Sequence, residues 1–321
     1  MIELLVSGMA SFCVAPLVYR LAMKRGIIDV PNDRSSHVVP TARTGGLACS
    51  SGVLLALIVA RALSHDVAWL TMIGAGSLAI VGFIDDVRTL PAASRLGLQV
   101  AVGAALGVGA HGWWWVPLGM IVTPVIVNVV NFMDGINGIT SLTMMCWGVT
   151  AVVAGHAEGL TSLTILGAVT AGSALGFLPW NMPVARLFPG DVGSYLYGGL
   201  VAGGIVYGWA NGISPVLLIS PLWLYLTDTG VVLGQRIIRR ESLFTPHRSH
   251  VYQRLVAEGG LPHWVVAVGV ASGSAVVTIA STLWMPGIAL AIAVTLSALY
   301  LLSPTVALKW SRQRCDGRQE R

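Results

Sequence analysis

Carboxylates are scarce in this chain, 14 acidic residues in 321, and four of them stand where apolar stretches end. A carboxylate bordering hydrocarbon is costly unless it is paired or bound to metal, so such positions point to chemistry. The segment Gly82-Phe83-Ile84-Asp85-Asp86-Val87-Arg88 holds two adjacent acids. Neighbouring side chains on a helix point about 100° apart, so both serve one site only in different parts, one binding a cation while the other acts as a base. In Asn128-Val129-Val130-Asn131-Phe132-Met133-Asp134-Gly135-Ile136-Asn137-Gly138, the residues Asn131, Asp134 and Asn137 recur every third position. That spacing places them close to one helical face, and amides with a carboxylate can read the donor and acceptor edge of a base while the glycines admit a planar ligand. A polar turn between two helices is the simpler alternative. In Phe188-Pro189-Gly190-Asp191-Val192-Gly193-Ser194 the carboxylate of Asp191 lies between two glycines. A loop of that kind suits Mg²⁺, which takes one or two carboxylates and completes its shell with phosphate oxygens and water.

Basic groups complete the set. Thr245-Pro246-His247-Arg248-Ser249-His250 begins a turn with proline and sets His247, Arg248 and His250 within three residues. Such a cluster can hold a diphosphate through charge-assisted hydrogen bonds, or it can anchor a loop on lipid headgroups. Asp29 through His37 and Pro40 through Gly46 add phosphate-compatible groups, Arg34 and His37 among them. No zinc site is drawn, because no further His or Cys completes four ligands, and the four cysteines suggest no disulfide framework.

The elements that position these residues follow from composition. Hydrophobic residues make up 55% of the chain and charged residues 10%, and mean hydropathy is +0.76, outside the range of soluble domains. About 20 apolar residues cross a bilayer as a helix, and an open sheet would leave backbone groups unpaired in lipid. The expectation is an all-α, polytopic transmembrane bundle of ten or eleven spans. They fall near 1–22, 45–63, 68–84, 96–111, 114–130, 141–155, 161–178, 193–210, 213–234, 262–283 and 287–307. Residues 1–307 then form one membrane domain with cytoplasmic loops near 23–44, 85–95, 131–140, 179–192 and 235–261, and 308–321 form a basic tail. Of the 19 Lys and Arg residues, 18 fall on one side of this assignment, and Arg61 alone falls on the other. Lys and Arg are retained in the cytoplasm, which puts the N-terminus outside and the C-terminus inside. The first span carries its charges after its apolar run, which marks a retained helix and not a cleaved secretory signal. The formal charge of +5 suits anionic headgroups and nucleotide phosphates. Nucleic acid is excluded as a partner, since no soluble basic domain exists to bind it.

In this order, across about residues 29–255, the Asp-Asp pair, the Asn-Phe-Met-Asp-Gly-Ile-Asn-Gly run, the Gly-Asp-Val-Gly-Ser segment and the His-containing loop resemble one family. It is the polyprenyl-phosphate N-acetylhexosamine-1-phosphate transferases, which include the phospho-MurNAc-pentapeptide translocase and the O-antigen-initiating enzymes. The resemblance implies Mg²⁺, with Mn²⁺ as a substitute, and implies a UDP-sugar and a polyprenyl phosphate as substrates at the cytoplasmic face of a bacterial inner membrane. It leaves a monomer and a homodimer both open. By resemblance Asp85 deprotonates or positions the lipid phosphate beside Asp86, Asp191 binds the metal, and Asn131, Asp134 and Asn137 line the uridine and catalytic cleft. His247, Arg248 and His250 lie near the donor diphosphate and sugar. The chain has Asn137 where many relatives carry a second aspartate, and its only lysines are Lys24 and Lys309, so basic roles pass to Arg88 and Arg95. Both departures point away from the muramyl-pentapeptide substrate. The His-Arg-Ser-His loop resembles the O-antigen and capsule initiators, whose donors are UDP-GlcNAc or UDP-linked deoxy-N-acetylhexosamines. A transporter of an anionic or lipid-linked solute is the competing class. It predicts an internal repeat, and the sequence shows none convincing by eye.

Overall fold

The structure is a computed structural model that describes residues 1–31, 39–110, 112–242 and 248–319. Backbone polar groups in hydrocarbon have no water to bond, so the apolar segments satisfy them internally as helices. In chain order these are α1 (Ile2–Arg25), α2 (Gly46–Ala62), α3 (Trp69–Val87), α4 (Ala92–Gly109), α5 (Trp115–Met133), α6 (Ile139–Ala157) and α7 (Thr161–Asn181). They continue with α8 (Gly190–Ala210), α9 (Pro215–Ile219), α10 (Trp223–Ile238), α11 (Val251–Ala257), α12 (His263–Leu283) and α13 (Pro286–Gln319). The one sheet among the described residues is a two-residue antiparallel pairing of β1 (Ile28–Asp29) with β2 (Thr41–Ala42).

Among the described residues nine helices are long and apolar enough to cross a membrane, α9 and α10 counting as one span, and α2 is a shorter apolar candidate. The expected eighth span, 193–210, corresponds to α8 and is not among them. Its 21 residues include seven glycines, and it is buried along nearly its whole length by protein, so its composition answers to helix packing and not to lipid. The expected span at 213–234 is broken. Pro215 opens α9, a single 3₁₀ turn at Ser220–Leu222 follows, and α10 then runs on to Ile238. The candidate span in α13 ends at Leu308, and the helix runs on to Gln319.

The core lies along α7 and α8, where Phe177, Tyr195 and Tyr197 are fully buried, as are Trp147 of α6 and Tyr225 of α10. The most extensive helix pairings are α6 with α7, α3 with α8, α1 with α7, α4 with α5, α1 with α2, and α5 with α8. Helices in lipid gain little from burying apolar surface against one another, so close packing through small residues drives their association. Gly82 on α3 lies against the backbone of Asp191 and Val192, and Gly46 on α2 against the backbone of Gly193. These contacts draw the ends of α2, α3 and α8 together at one end of the bundle.

Candidate active site

Asp85 and Asp86 occupy the last turn of α3, and their side chains diverge as adjacent helical positions must. Asp85 accepts hydrogen bonds from Arg95 Nη1 of α4 at 2.7 Å and from the Leu90 N–H at 2.7 Å. Asp86 points instead at the N-terminus of α8, where it accepts from the N–H groups of Asp191 at 3.0 Å and Val192 at 3.3 Å. The first N–H groups of a helix have no partner within it, and a carboxylate there also meets the positive end of the helix dipole. The Asp86 side chain has no solvent exposure, and Arg43 Nη2 lies 3.2 Å from its Oδ1.

Arg43 sits between two acids, since the same Nη2 is 3.9 Å from Asp191 Oδ1. Backbone pairing puts it there: Phe188 N–H bonds to Ala42 O, Gly45 N–H to Phe188 O and Gly46 N–H to Pro189 O, each at 2.8 Å. Thr44, next to Arg43, is buried and holds φ at 71°, a region that costs a β-branched residue of order 1–3 kcal/mol and that clusters at functional sites. Burial works against the charge of Arg43, but Asp86, Asp191, Asp29 and Asp134 outweigh it and hold the guanidinium firmly protonated.

Asp191 is not presented by a loop, as its glycine-flanked setting suggests, but lies in the first turn of α8, where its charge favours the helix. The sharp entry into α8 is made by Gly190, at φ 69°. A Cβ at Gly190 would strike the Asp86 carboxylate. Gly190→Ala therefore combines a backbone cost of about 1–2 kcal/mol with that collision. The expected result is a lower melting temperature in detergent and turnover down at least about tenfold, since displaced catalytic groups are costly.

Asn131, Asp134 and Asn137 do not share a helical face. α5 ends at Met133, Asp134 is its C-cap, and 134–138 form the turn into α6, with Gly138 at φ 81°. The turn arises because two glycines in four residues favour a break over another helical turn. Asn131 nonetheless bonds to α8 and Asp134 lies within reach of the Asp86 and Arg43 charges, whereas Asn137 bonds to Pro183. Asn131 Oδ1 accepts from Ser194 Oγ of α8 at 2.7 Å, and Asp134 Oδ1 accepts from Thr140 Oγ1 at 2.6 Å. Asn137 Nδ2 donates to Pro183 O at 3.2 Å, and the next N–H, of Gly138, donates to Asn181 Oδ1 at 2.6 Å. Asp134 is half-buried and near enough to Asp86 and Arg43 to feel both charges. Burial drives its carboxyl up to about 7, the Thr140 bond opposes that rise, Asp86 adds to it and Arg43 opposes it.

The structure thus gathers Asp85, Asp86, Asp191, Asn131, Asp134 and Arg95 where α3, α5 and α8 meet. His250 is buried beside the C-terminal end of α5, its ring 6.5 Å from that of Phe132, and Arg248 is half-buried nearby in sequence. Arg88 is exposed at the end of α3 and forms no ion pair among the described residues, so the substrate-binding role expected of it gains no support from geometry. Arg34, His37 and His247 lie outside the described residues. Sequence reasoning passed over Arg43 as one basic residue among many, although its position just ahead of Gly45-Gly46 and α2 was the available signal. Thr140, Asn181 and Ser194 carried no signal of their own.

Among the described residues no group of three or more His, Cys, Asp or Glu side chains is disposed to enclose a metal ion. Mg²⁺ does not require one, since one or two carboxylates suffice when a substrate supplies phosphate oxygens. Charge speaks for a cation. When all are ionised, the carboxylates of Asp85, Asp86, Asp134 and Asp191 exceed the guanidiniums of Arg43 and Arg95 by two negative charges, which one divalent ion would offset. Asp191 is the open position, with 20% of its side chain exposed against none of Asp86.

Residues 68–208, which carry α3 through α8 and the gathered carboxylates, match the model of Glycosyl transferase family 4. The chain is 26% identical to the "Probable undecaprenyl-phosphate N-acetylglucosaminyl 1-phosphate transferase" of Bacillus subtilis (strain 168), over 88% of this chain and 86% of that one. It is 27% identical to the "Decaprenyl-phosphate N-acetylglucosaminephosphotransferase" of Mycolicibacterium smegmatis, over 98% and 90% of the two chains. Identity reaches 30% with the "Phospho-N-acetylmuramoyl-pentapeptide-transferase" of Maridesulfovibrio salexigens, but over only 50% of this chain and 57% of that one.

Proposed function

The chain belongs to glycosyl transferase family 4, and from that premise we propose that it transfers N-acetylglucosamine 1-phosphate from UDP-N-acetylglucosamine to undecaprenyl phosphate. The products are UMP and undecaprenyl diphosphate N-acetylglucosamine, the first lipid-linked intermediate of a cell-surface polymer. The observation that carries this reading is the gathering of four carboxylates with two guanidiniums at one end of a membrane bundle, within the matched residues. Two anionic substrates cannot meet there without a counter-charge. Full-length similarity to two N-acetylglucosamine-phosphate transferases, against partial similarity to the muramoyl-pentapeptide enzyme, favours N-acetylglucosamine as the transferred sugar.

In the reaction an oxygen of the lipid phosphate attacks the β-phosphorus of the donor, the new P–O bond forms, and the bond to the α-phosphate oxygen breaks to release UMP. Asp191, with Asp86 or Asp85 beside it, would hold Mg²⁺, which when bound would supply positive charge to the diphosphate and the departing UMP. Asp85 already accepts from Arg95 and the Leu90 N–H, so its part is to present Arg95 to a phosphate and not to remove a proton. Little proton removal is needed, because a phosphate monoester with a second pKa of about 6 is mostly dianionic at neutral pH. Arg43, held by Asp86 and Asp191, is the second guanidinium placed to meet a phosphate oxygen. The turn 134–138 and Asn131 offer amide and carboxyl groups for the uracil and ribose. In the sequence, 18 of the 19 Lys and Arg residues fall in segments assigned to the same side as the gathered carboxylates, which supports a site at the cytoplasmic face of the inner membrane.

The purified full chain, in detergent with undecaprenyl phosphate and Mg²⁺, should release UMP from UDP-N-acetylglucosamine. Release should exceed that from UDP-MurNAc-pentapeptide at least about 100-fold, as expected for a site built around one donor. No turnover with any UDP-N-acetylhexosamine would overturn the proposal.

A further inference from the structure

Asp228 lies on α10 with no solvent exposure, far in sequence from the gathered acids. Burying a carboxylate is expensive unless its lone pairs are filled. Four donors fill them: the His250 imidazole through Nδ1 at 3.0 Å, the N–H groups of Val251 at 3.1 Å and Tyr252 at 3.4 Å, and the Tyr300 hydroxyl of α13 at 2.7 Å. The two backbone donors open α11, so a carboxylate from a transmembrane helix holds the start of a short helix beyond it. From α11, Tyr252 stacks on His250 with ring centroids 5.6 Å apart and donates its hydroxyl to Phe132 O at 2.9 Å. Gly135 leaves the room that this hydroxyl occupies. A continuous chain of contacts therefore runs from α13 and α10, through Asp228 and α11, to the Phe132–Asp134 end of α5.

We propose that Asp228 is a positioning residue for the transfer reaction, fixing His250 and α11 against the turn that carries Asp134. A carboxylate that accepts from His250 Nδ1 fixes the tautomer and orientation of the ring. Asp228 thereby sets how the imidazole and α11 stand against the end of α5, and Tyr300 keeps the carboxylate from turning away. The inference rests on the transferase reading and extends it to a residue that touches no substrate.

The test uses the full chain in detergent with UDP-N-acetylglucosamine and undecaprenyl phosphate, with kcat normalised to the number of molecules that bind UDP. A merely structural role would reduce the number of competent molecules and leave their kcat unchanged. Asp228→Asn should lower this kcat about 10–100-fold, with KM for the lipid phosphate within about threefold of wild type, the range seen when outer partners of an active histidine are removed. His250→Ala should lose at least as much, because Asp228 acts through it. Should Asp228→Asn fail to fold, Tyr300→Phe removes one bond and should lower kcat about 3–10-fold. A kcat unchanged in both variants, or a loss in Asp228→Asn that exceeds the loss in His250→Ala, overturns the positioning role while leaving the transferase reading intact. Absence of turnover in the wild-type chain overturns both.

Discussion

Asp191→Asn should lower turnover about 10³-fold at ordinary Mg²⁺ concentrations while the protein keeps its melting temperature and its ability to bind UDP. The substitution is nearly isosteric and removes one charge from the most open acid of the site. Structural cost is small, because the bonds that seat the first turn of α8 are made by its backbone to Asp86 and not by the Asp191 side chain. The loss should be partly recovered by raising Mg²⁺ or replacing it with Mn²⁺, since weakened metal affinity answers to mass action. Turnover near wild type at low millimolar Mg²⁺ would remove Asp191 from the metal's ligands. Asp86→Asn would be a less clean experiment, because it changes the cap of α8 and the seat of Arg43 at once.

Asp134→Asn should abolish most turnover, about 100-fold or more, and yet stabilise the metal-free protein above neutral pH. The sign follows from the two protonation equilibria. In the unfolded chain the carboxyl loses its proton near 3.8, and in the folded protein it does so at about 7. Between those values the folded state binds more protons, so folding becomes less favourable as pH rises through the window, and the full cost persists above pH 7. Asparagine carries no such cost. Because Asp134 is only half-buried, solvent screening leaves a gain of about 1–2 kcal/mol at pH 8, shrinking toward pH 5. Thermal unfolding in EDTA at the two pH values measures it. A variant less stable than wild type at pH 8 would contradict the burial cost, and unchanged UDP affinity together with unchanged rate would take Asp134 out of the cleft. An acid carried at a stability cost is expected of a functional position.

The roles of individual residues were legible to different depths. Asp85, Asp86 and Asp191 stood out because a carboxylate next to apolar sequence needs a reason, and the structure gathers them. Asn131, Asp134 and Asn137 were found by type, but their three-residue spacing suggested a helical face where two glycines instead make a turn. α8 is less apolar than the other candidate spans because seven glycines serve its close contact with neighbouring helices. Asp228 was visible only as an acid inside a span. Its partners His250, Val251, Tyr252 and Tyr300 lie 22 to 72 residues away, and nothing local ties them to it.

From the amino-acid sequence alone follow the membrane bundle, the asymmetry of basic charge and the scarce acids at one end, since each is set by the cost of placing a residue in hydrocarbon. Tertiary structure alone decided which guanidinium meets which carboxylate: Arg95 with Asp85, and Arg43 between Asp86 and Asp191. Those pairings depend on how closely α2, α3 and α8 approach at Gly46, Gly82 and Gly193. The energy of an ion pair varies with distance and surroundings, and separation along the chain carries no information about either.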